Sequence, residues 1–170
     1  MDDAVADEAA TDLLGVALRL GWLLAGELHA SKGGHPTLRQ FRVLHRLAQR
    51  PHRAGELATS TQVTAASITQ LADVMQRQGW VQRSADPGDG RATLLSLTPA
   101  GEKILLEAEI HLHALLREVV GNLGAEELSA LSALAPELHA GIDLLRVSLN
   151  RGPDGIPGRY RLQARQAGHR

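Results

Sequence analysis

Apolar positions along this chain recur mostly every three to four residues, the period of one helix face, and alternate only briefly near its middle. Leu14, Leu18, Trp22, Ala25 and Leu28 form one stripe between residues 7 and 30 and predict a first helix. Ser31-Lys32-Gly33-Gly34-His35-Pro36 breaks it. Thr37 is placed to cap a second helix running to about Gln49, with Phe41, Leu44, Leu47 and Ala48 inward, and Pro51 ends it. A short helix over Ala54 to Ser60 follows, with Leu57 and Ala58 inward, then a turn at Thr61-Gln62-Val63. Thr64 caps the next helix, which ends at Gly79. In that helix Ile68, Leu71, Ala72 and Met75 share one face. The opposite face is Ala66, Gln70, Asp73 and Arg77, flanked by Ser67 and Thr69.

The brief alternation lies at Trp80–Ser84 and Thr93–Leu97, two strand-like runs joined by the turn-rich Ala85-Asp86-Pro87-Gly88-Asp89-Gly90. Thr98, with Pro99 at the first helical position, opens a long helix striped by Leu105, Ala108, Leu112, Leu115, Leu116 and Val119. Residues 121–124 interrupt it. A last helix carries Leu128, Leu131, Leu134, Leu138, Ile142, Leu145 and Leu149.

Helix, turn, helix and hairpin in that order predict a winged helix-turn-helix, whose second helix enters a DNA major groove. The expected fold is mainly α with a small β-wing, flanked by N- and C-terminal dimerisation helices. The chain divides into an acidic arm and dimerisation helix (1–36), the winged helix-turn-helix (37–98), C-terminal dimerisation helices (99–150) and a basic flexible tail (151–170). The long outer helices exceed what a DNA reader of this size needs to fold. They are expected to build a homodimer that sets two reading helices about 34 Å apart on a pseudo-palindrome.

Composition narrows the choice. The 170 residues are 44% hydrophobic with only four aromatic side chains, Trp22, Phe41, Trp80 and Tyr160, so base-stacking readers of single strands are disfavoured. Cysteine is absent, which excludes disulfides, thiolate metal sites and thiol switches. No uninterrupted run of about 18 apolar residues suggests a membrane segment, and the acid-rich N-terminus does not look like an export signal. A cytoplasmic protein with no membrane partner is expected. Net charge is −1, low for a nucleic-acid binder. From Arg50 to Ala100, however, five arginines face four acids, so DNA affinity should rest on local placement and dimerisation.

The segment Gly79-Trp80-Val81-Gln82-Arg83, then Asp86-Pro87-Gly88-Asp89-Gly90-Arg91, then Leu97-Thr98-Pro99-Ala100-Gly101 resembles the MarR family of bacterial transcriptional regulators. Glu56-Leu57-Ala58 and Val63 to Thr69 fit the same pattern, and the likeness covers about residues 10 to 148. The resemblance implies a triangular dimer of winged-helix subunits. It also implies a regulator, usually a repressor, released from DNA by a small, often phenolic or aromatic, ligand held between the dimerisation helices and the winged helix. Two departures stand out. Gln70 and Val74 occupy positions where the family often has cations. The cysteine of its peroxide sensors is missing.

On this reading Arg91 enters the minor groove, with Asp89 bracing the wing by an ion pair. Ser67, Thr69 and Gln70 face base edges or phosphates, and Gln70 suits adenine. Thr64 presents a helix N-terminus to a phosphate. Arg77 and Arg83 contact the DNA backbone. Trp22, Phe41, His45 and Ile110 are candidates for lining the ligand pocket. His45 with His29 or His111 is the only arrangement suggestive of the zinc-sensing relatives. None of the histidines has the helical i, i+4 spacing of a zinc site, so neither metal nor cofactor is expected. The alternative to a DNA-binding regulator is a winged-helix module for protein or ligand binding that does not bind DNA. An enzyme is not expected: no nucleophile motif, phosphate-cradling glycine loop or catalytic carboxylate pair is present.

Overall fold

The computed structural model describes residues 3–30, 34–61 and 64–149. The Arg-rich tail and part of the predicted turn at residues 61–63 lie outside the described residues. Among the described residues six helices and a small sheet follow one another as α1 (Asp3–Ala30), α2 (Leu38–Leu47), β1 (His52–Arg53), α3 (Ala54–Thr61), α4 (Ala65–Arg77), β2 (Val81–Asp86), β3 (Asp89–Leu97), α5 (Pro99–Val119) and α6 (Ala125–Ser148), with a 3-10 turn at Val120–Asn122.

The helices begin where their caps dictate. Thr37 forms a full capping box with Gln40, each side chain accepting the other's backbone N–H. Thr64 and Thr98 accept the N–H groups of Ser67 and Gly101 at the starts of α4 and α5. α4 ends in a Schellman turn: Gly79 adopts φ +75°, and the N–H groups of Gly79 and Trp80 return to the carbonyls of Gln76 and Met75. That left-handed residue swings the chain directly from α4 into β2.

The sheet is antiparallel in the order β1-β3-β2. β1 is a strand that periodicity did not predict, because two residues carry no alternation. Its backbone sets His52 opposite Leu95 and Arg53 opposite Leu94. The wing strands run further than the alternation suggested, and only Pro87 and Gly88 remain as the turn. Register is regular from Val81↔Leu97 to Ala85↔Thr93 and then jumps to Asp86↔Asp89. Gly90, Arg91 and Ala92 fall in that jump, which pushes Arg91 outward at the tip.

One core joins the winged helix to the base of α5: Val43, Leu44, Leu47, Leu57, Ala58, Ile68, Ala72, Met75, Val81, Leu95 and Leu105. A smaller one packs Leu28 of α1 against Ala108 and Leu112 of α5, with Leu24, Leu38 and Phe41 around them. Ala48, expected inward, is exposed, and Val43 takes its place in the core.

The outer helices behave differently. α6 has no buried residue, although Leu131, Leu134, Leu138, Ile142, Leu144 and Leu145 recur along it. Leu14, Leu18 and Trp22 of α1 are likewise exposed, Trp22 to 74%. By length and composition alone α1 is also apolar enough to cross a membrane. Its C-terminal end is instead seated on α2 and α5 through Leu24 and Leu28.

Candidate nucleic-acid interface

The exposed side of α4 carries Ala65, Ala66, Thr69, Gln70 and Arg77. Small side chains such as Ala65, Ala66 and Thr69 let a helix backbone approach a partner surface closely. At its N-terminus Thr64 Oγ1 accepts the Ser67 N–H at 3.1 Å and lies 2.9 Å from Ser67 Oγ, so both hydroxyls are ordered beside the helix's open N–H groups. Thr69 Oγ1 donates to Ala65 O at 2.9 Å, and the side chain is exposed. Gln70 is exposed, with its amide free to meet a base.

Asp73, the acid on this face, is held by Arg83 of β2. Arg83 Nη2 donates to Asp73 Oδ1 at 2.6 Å, and Nη1 donates to Gln76 Oε1 at 2.6 Å. Arg83 therefore braces β2 against α4, and two of its donors are spent within the chain. Arg91 is exposed on the wing. The brace expected from Asp89 takes a different form: Asp89 accepts the backbone N–H of Arg91 at 3.2 Å and makes its ion pair with Arg53, at 3.6 Å.

Arg53 is the residue the sequence reading passed over. Its Nε donates to Asp86 Oδ2 at 2.6 Å, its Nη2 lies 2.5 Å from the same oxygen, and its Nη1 faces Asp89. The hydrogen bond to Asp86 and that residue's charge raise the Arg53 pKa further. The Gly88 N–H and the Arg53 guanidinium in turn hold the Asp86 carboxyl below the ordinary carboxylate range. Two carboxylates three residues apart at the ends of a tight turn were the signal in the sequence. Their partner became visible only once β1 took its place in the sheet.

Glu56 has a similar role at the start of α3. It accepts from Arg50 Nη1, from the Arg53 N–H and from the buried His52 ring, at 3.2, 3.3 and 3.0 Å. Burial pushes its carboxyl up, but these bonds outweigh that and leave it below the usual range. His52 is lowered, by burial first, against the opposing bond to Glu56. All four acids between Arg50 and Ala100 are thus engaged within the chain. Among the described residues no acid lies within ion-pair distance of Arg77 or Arg91, so the uncompensated charge on this face is positive.

The candidate pocket residues are partly dispersed. Phe41 and His45 adjoin, with ring centroids 6.0 Å apart, and His45 Nε2 lies 3.7 Å from the buried Glu109 carboxylate. Trp22 and Ile110 are on the surface, Ile110 43% exposed. His111 faces His35 at 5.5 Å and Glu27 at 3.7 Å. No cluster of three or more metal-ligating side chains is found among the described residues. A cavity of about 380 Å³ opens between α4 and the sheet, lined by Thr69, Ala72, Asp73, Arg83, Thr93 and Leu95.

Comparison with known proteins agrees with this geometry. A family model described as MarR family matches residues 36–92. An uncharacterised HTH-type transcriptional regulator of Bacillus subtilis (strain 168), YsmB, is 32% identical over 75 residues, covering 44% of this chain and 51% of that relative's length. A probable transcriptional regulator from Pseudomonas aeruginosa superposes with a TM-score of 0.56 at 32% identity, over 74% of this chain and 96% of that one. A MarR family protein from Bacillus stearothermophilus gives a TM-score of 0.72 at 24% identity, over 84% and 99% of the two chains.

Proposed function

The chain belongs to the MarR family, and from that premise we propose that it is a homodimeric, sequence-specific reader of double-stranded DNA. It acts in the cytoplasm as a repressor that a small effector releases. The observation that carries this reading is the pairing of charges on the α4 and wing face: every acid there is held internally, while Arg77 and Arg91 are left for an outside anion. α4 lies in the major groove, with Gln70 and Ser67 on base edges and Thr64 at a phosphate. Arg91 enters the adjoining minor groove, where negative potential is concentrated.

Dimerisation follows from the apolar faces of α1 and α6. A stripe of leucines left open along a helix of 24 residues is unfavourable in water, and burying each side chain gains about 1.5–3 kcal/mol. A second copy of the same two helices offers the complementary surface, and the resulting two-fold symmetry matches a pseudo-palindromic site.

The cavity between α4 and the sheet is a suitable place for the effector. Its mixed lining of Ala72, Leu95, Thr69 and the Arg83 guanidinium suits a small planar anion. Such a ligand competes with Asp73 for Arg83, loosens β2 from α4 and shifts the population away from the DNA-competent pose. The test is a titration of duplex DNA from the gene's own upstream region, with sedimentation of the complex. Two chains per duplex, dissociated by an aromatic carboxylate, is the expected result. A complex of one chain per duplex would rule out the dimer, and indifference to all such ligands would rule out the effector. Absence of any complex would leave a winged-helix interaction module as the better description.

A further inference from the structure

β1 is two residues long, yet one of them reaches both ends of the wing turn. The guanidinium of Arg53 takes Oδ2 of Asp86 through Nε and Nη2, and Oδ2 of Asp89 through Nη1. The other oxygen of each carboxylate is used on the turn itself: Asp86 Oδ1 accepts the Gly88 N–H at 2.8 Å, and Asp89 Oδ1 accepts the Arg91 N–H at 3.2 Å. Each carboxylate therefore links Arg53 to a backbone amide of the wing. Arg53 is itself fixed, because its backbone pairs with Leu94 in β3 and the next residue, Ala54, begins α3.

We propose that Arg53 is a positioning residue of the DNA interface, a clamp that holds the wing turn against the helix-turn-helix so that Arg91 projects where the minor groove will be. The proposal rests on the DNA-binding reading above. On this account Arg53 acts through the wing turn rather than on a phosphate, its charge being matched by two carboxylates. Bridging both acids requires the planar fork of arginine, which a lysine ammonium does not supply. The register jump between Ala85 and Asp86 leaves Gly90, Arg91 and Ala92 without the ladder that fixes the rest of the hairpin. Arg53 supplies that missing restraint.

The sign of one substitution separates this role from simple electrostatics. Asp86→Asn removes a negative charge from a surface that faces DNA, while its Oδ1 can still accept the Gly88 N–H. If charge alone mattered, binding would tighten. The clamp predicts that it weakens, by about tenfold, as do Arg53→Ala and the charge-conserving Arg53→Lys. Because Arg53 acts through Arg91, Arg53→Ala combined with Arg91→Ala should bind no more weakly than Arg91→Ala alone.

Fluorescence anisotropy on duplex DNA measures these affinities, with circular-dichroism melts to confirm that the variants fold. Amide hydrogen exchange in the free protein gives a readout without DNA: Gly88 and Arg91 should lose protection in Arg53→Ala. Tighter or unchanged binding by Asp86→Asn overturns the proposal. So do additive losses in the double variant, or unchanged exchange at those two amides. A wild-type protein that binds no duplex overturns the DNA-binding reading and the interface role with it, whereas the exchange measurement still judges the clamp on its own.

Discussion

Replacing Gly101 with alanine tests how the wing is seated on the long C-terminal helix. Gly101 is buried in the first turn of α5, where its N–H donates to Thr98 Oγ1 at 3.0 Å. The same threonine donates its backbone N–H to Trp80 O at 3.0 Å and its hydroxyl to Gly79 O at 2.5 Å. Thr98 thereby stitches α5 to the turn that leaves α4. A methyl group on Gly101 would lie 2.0 Å from Trp80 O and 3.2 Å from a Leu97 methyl. The closest comfortable carbon–oxygen approach is about 3.3 Å, so helix and turn must separate by roughly 1.3 Å. The blocking atom is backbone and cannot rotate aside.

Overpacking of this kind costs about 1–3 kcal/mol, and loss of the Thr98–Trp80 hydrogen bond costs about 1 more. Alanine's better helix propensity returns about 1 kcal/mol. The net expectation is a destabilisation of about 1–3 kcal/mol, or a fall in Tm of roughly 3–10 °C for a chain of this length. Thermal melts at one fixed protein concentration measure it, since a dimer's Tm depends on concentration. Gly55→Ala in α3, where an added methyl meets nothing within 4 Å, is the control and should melt within a degree or two of wild type or slightly above. If Gly101→Ala melted at or above the wild-type temperature, the packing argument would be refuted.

Three further outcomes follow from the same structure. Thr64→Ala removes the cap of α4 and should cost about 0.5–2 kcal/mol in chemical denaturation while weakening duplex binding; unchanged stability would show that the Ser67 N–H is satisfied otherwise. His52 has a folded pKa below 6.5, so as pH falls through that value the unfolded chain takes up its proton first. Stability should then decline with falling pH until the folded pKa is passed. His52→Gln should flatten that part of the wild-type curve, and superimposable curves would contradict the assignment. Arg146 of α6 donates to Ser60 O at 3.2 Å, joining α6 to the end of α3 just ahead of α4. Arg146→Ala should keep the dimer mass but bind duplexes with half-sites moved by one or two base pairs almost as well as the native spacing; undiminished discrimination would remove the coupling.

Much of this architecture was legible because local chemistry and periodicity agreed. Thr37, Thr64 and Thr98 each stand one residue before a helix and cap it, and Gly79 ends α4 in the one conformation that favours glycine. Spacing alone puts Ile68, Leu71, Ala72 and Met75 on the inward face; Ile68, Ala72 and Met75 are buried and Leu71 is partly so. Periodicity could not say which apolar stripes meet within one chain. Leu28 and Leu134 look alike in sequence, yet the first is buried and the second is 58% exposed, because no residue of α6 is buried among the described residues. Nor could it pair charges across the sheet. Nearness in sequence pairs Asp89 with Arg91, whereas the ion pair goes to Arg53, brought close by the order β1-β3-β2.

Binding of duplex DNA by a dimer of this winged helix through its exposed cations would show in the salt dependence of the binding constant. Log K should fall linearly with log salt concentration on a duplex from the upstream region, since each phosphate contact releases counterions. Arg91→Ala should both weaken binding and reduce the slope by about two, one for each subunit's wing. Failure to bind duplex at low salt, or binding indifferent to salt and to Arg91, would contradict it.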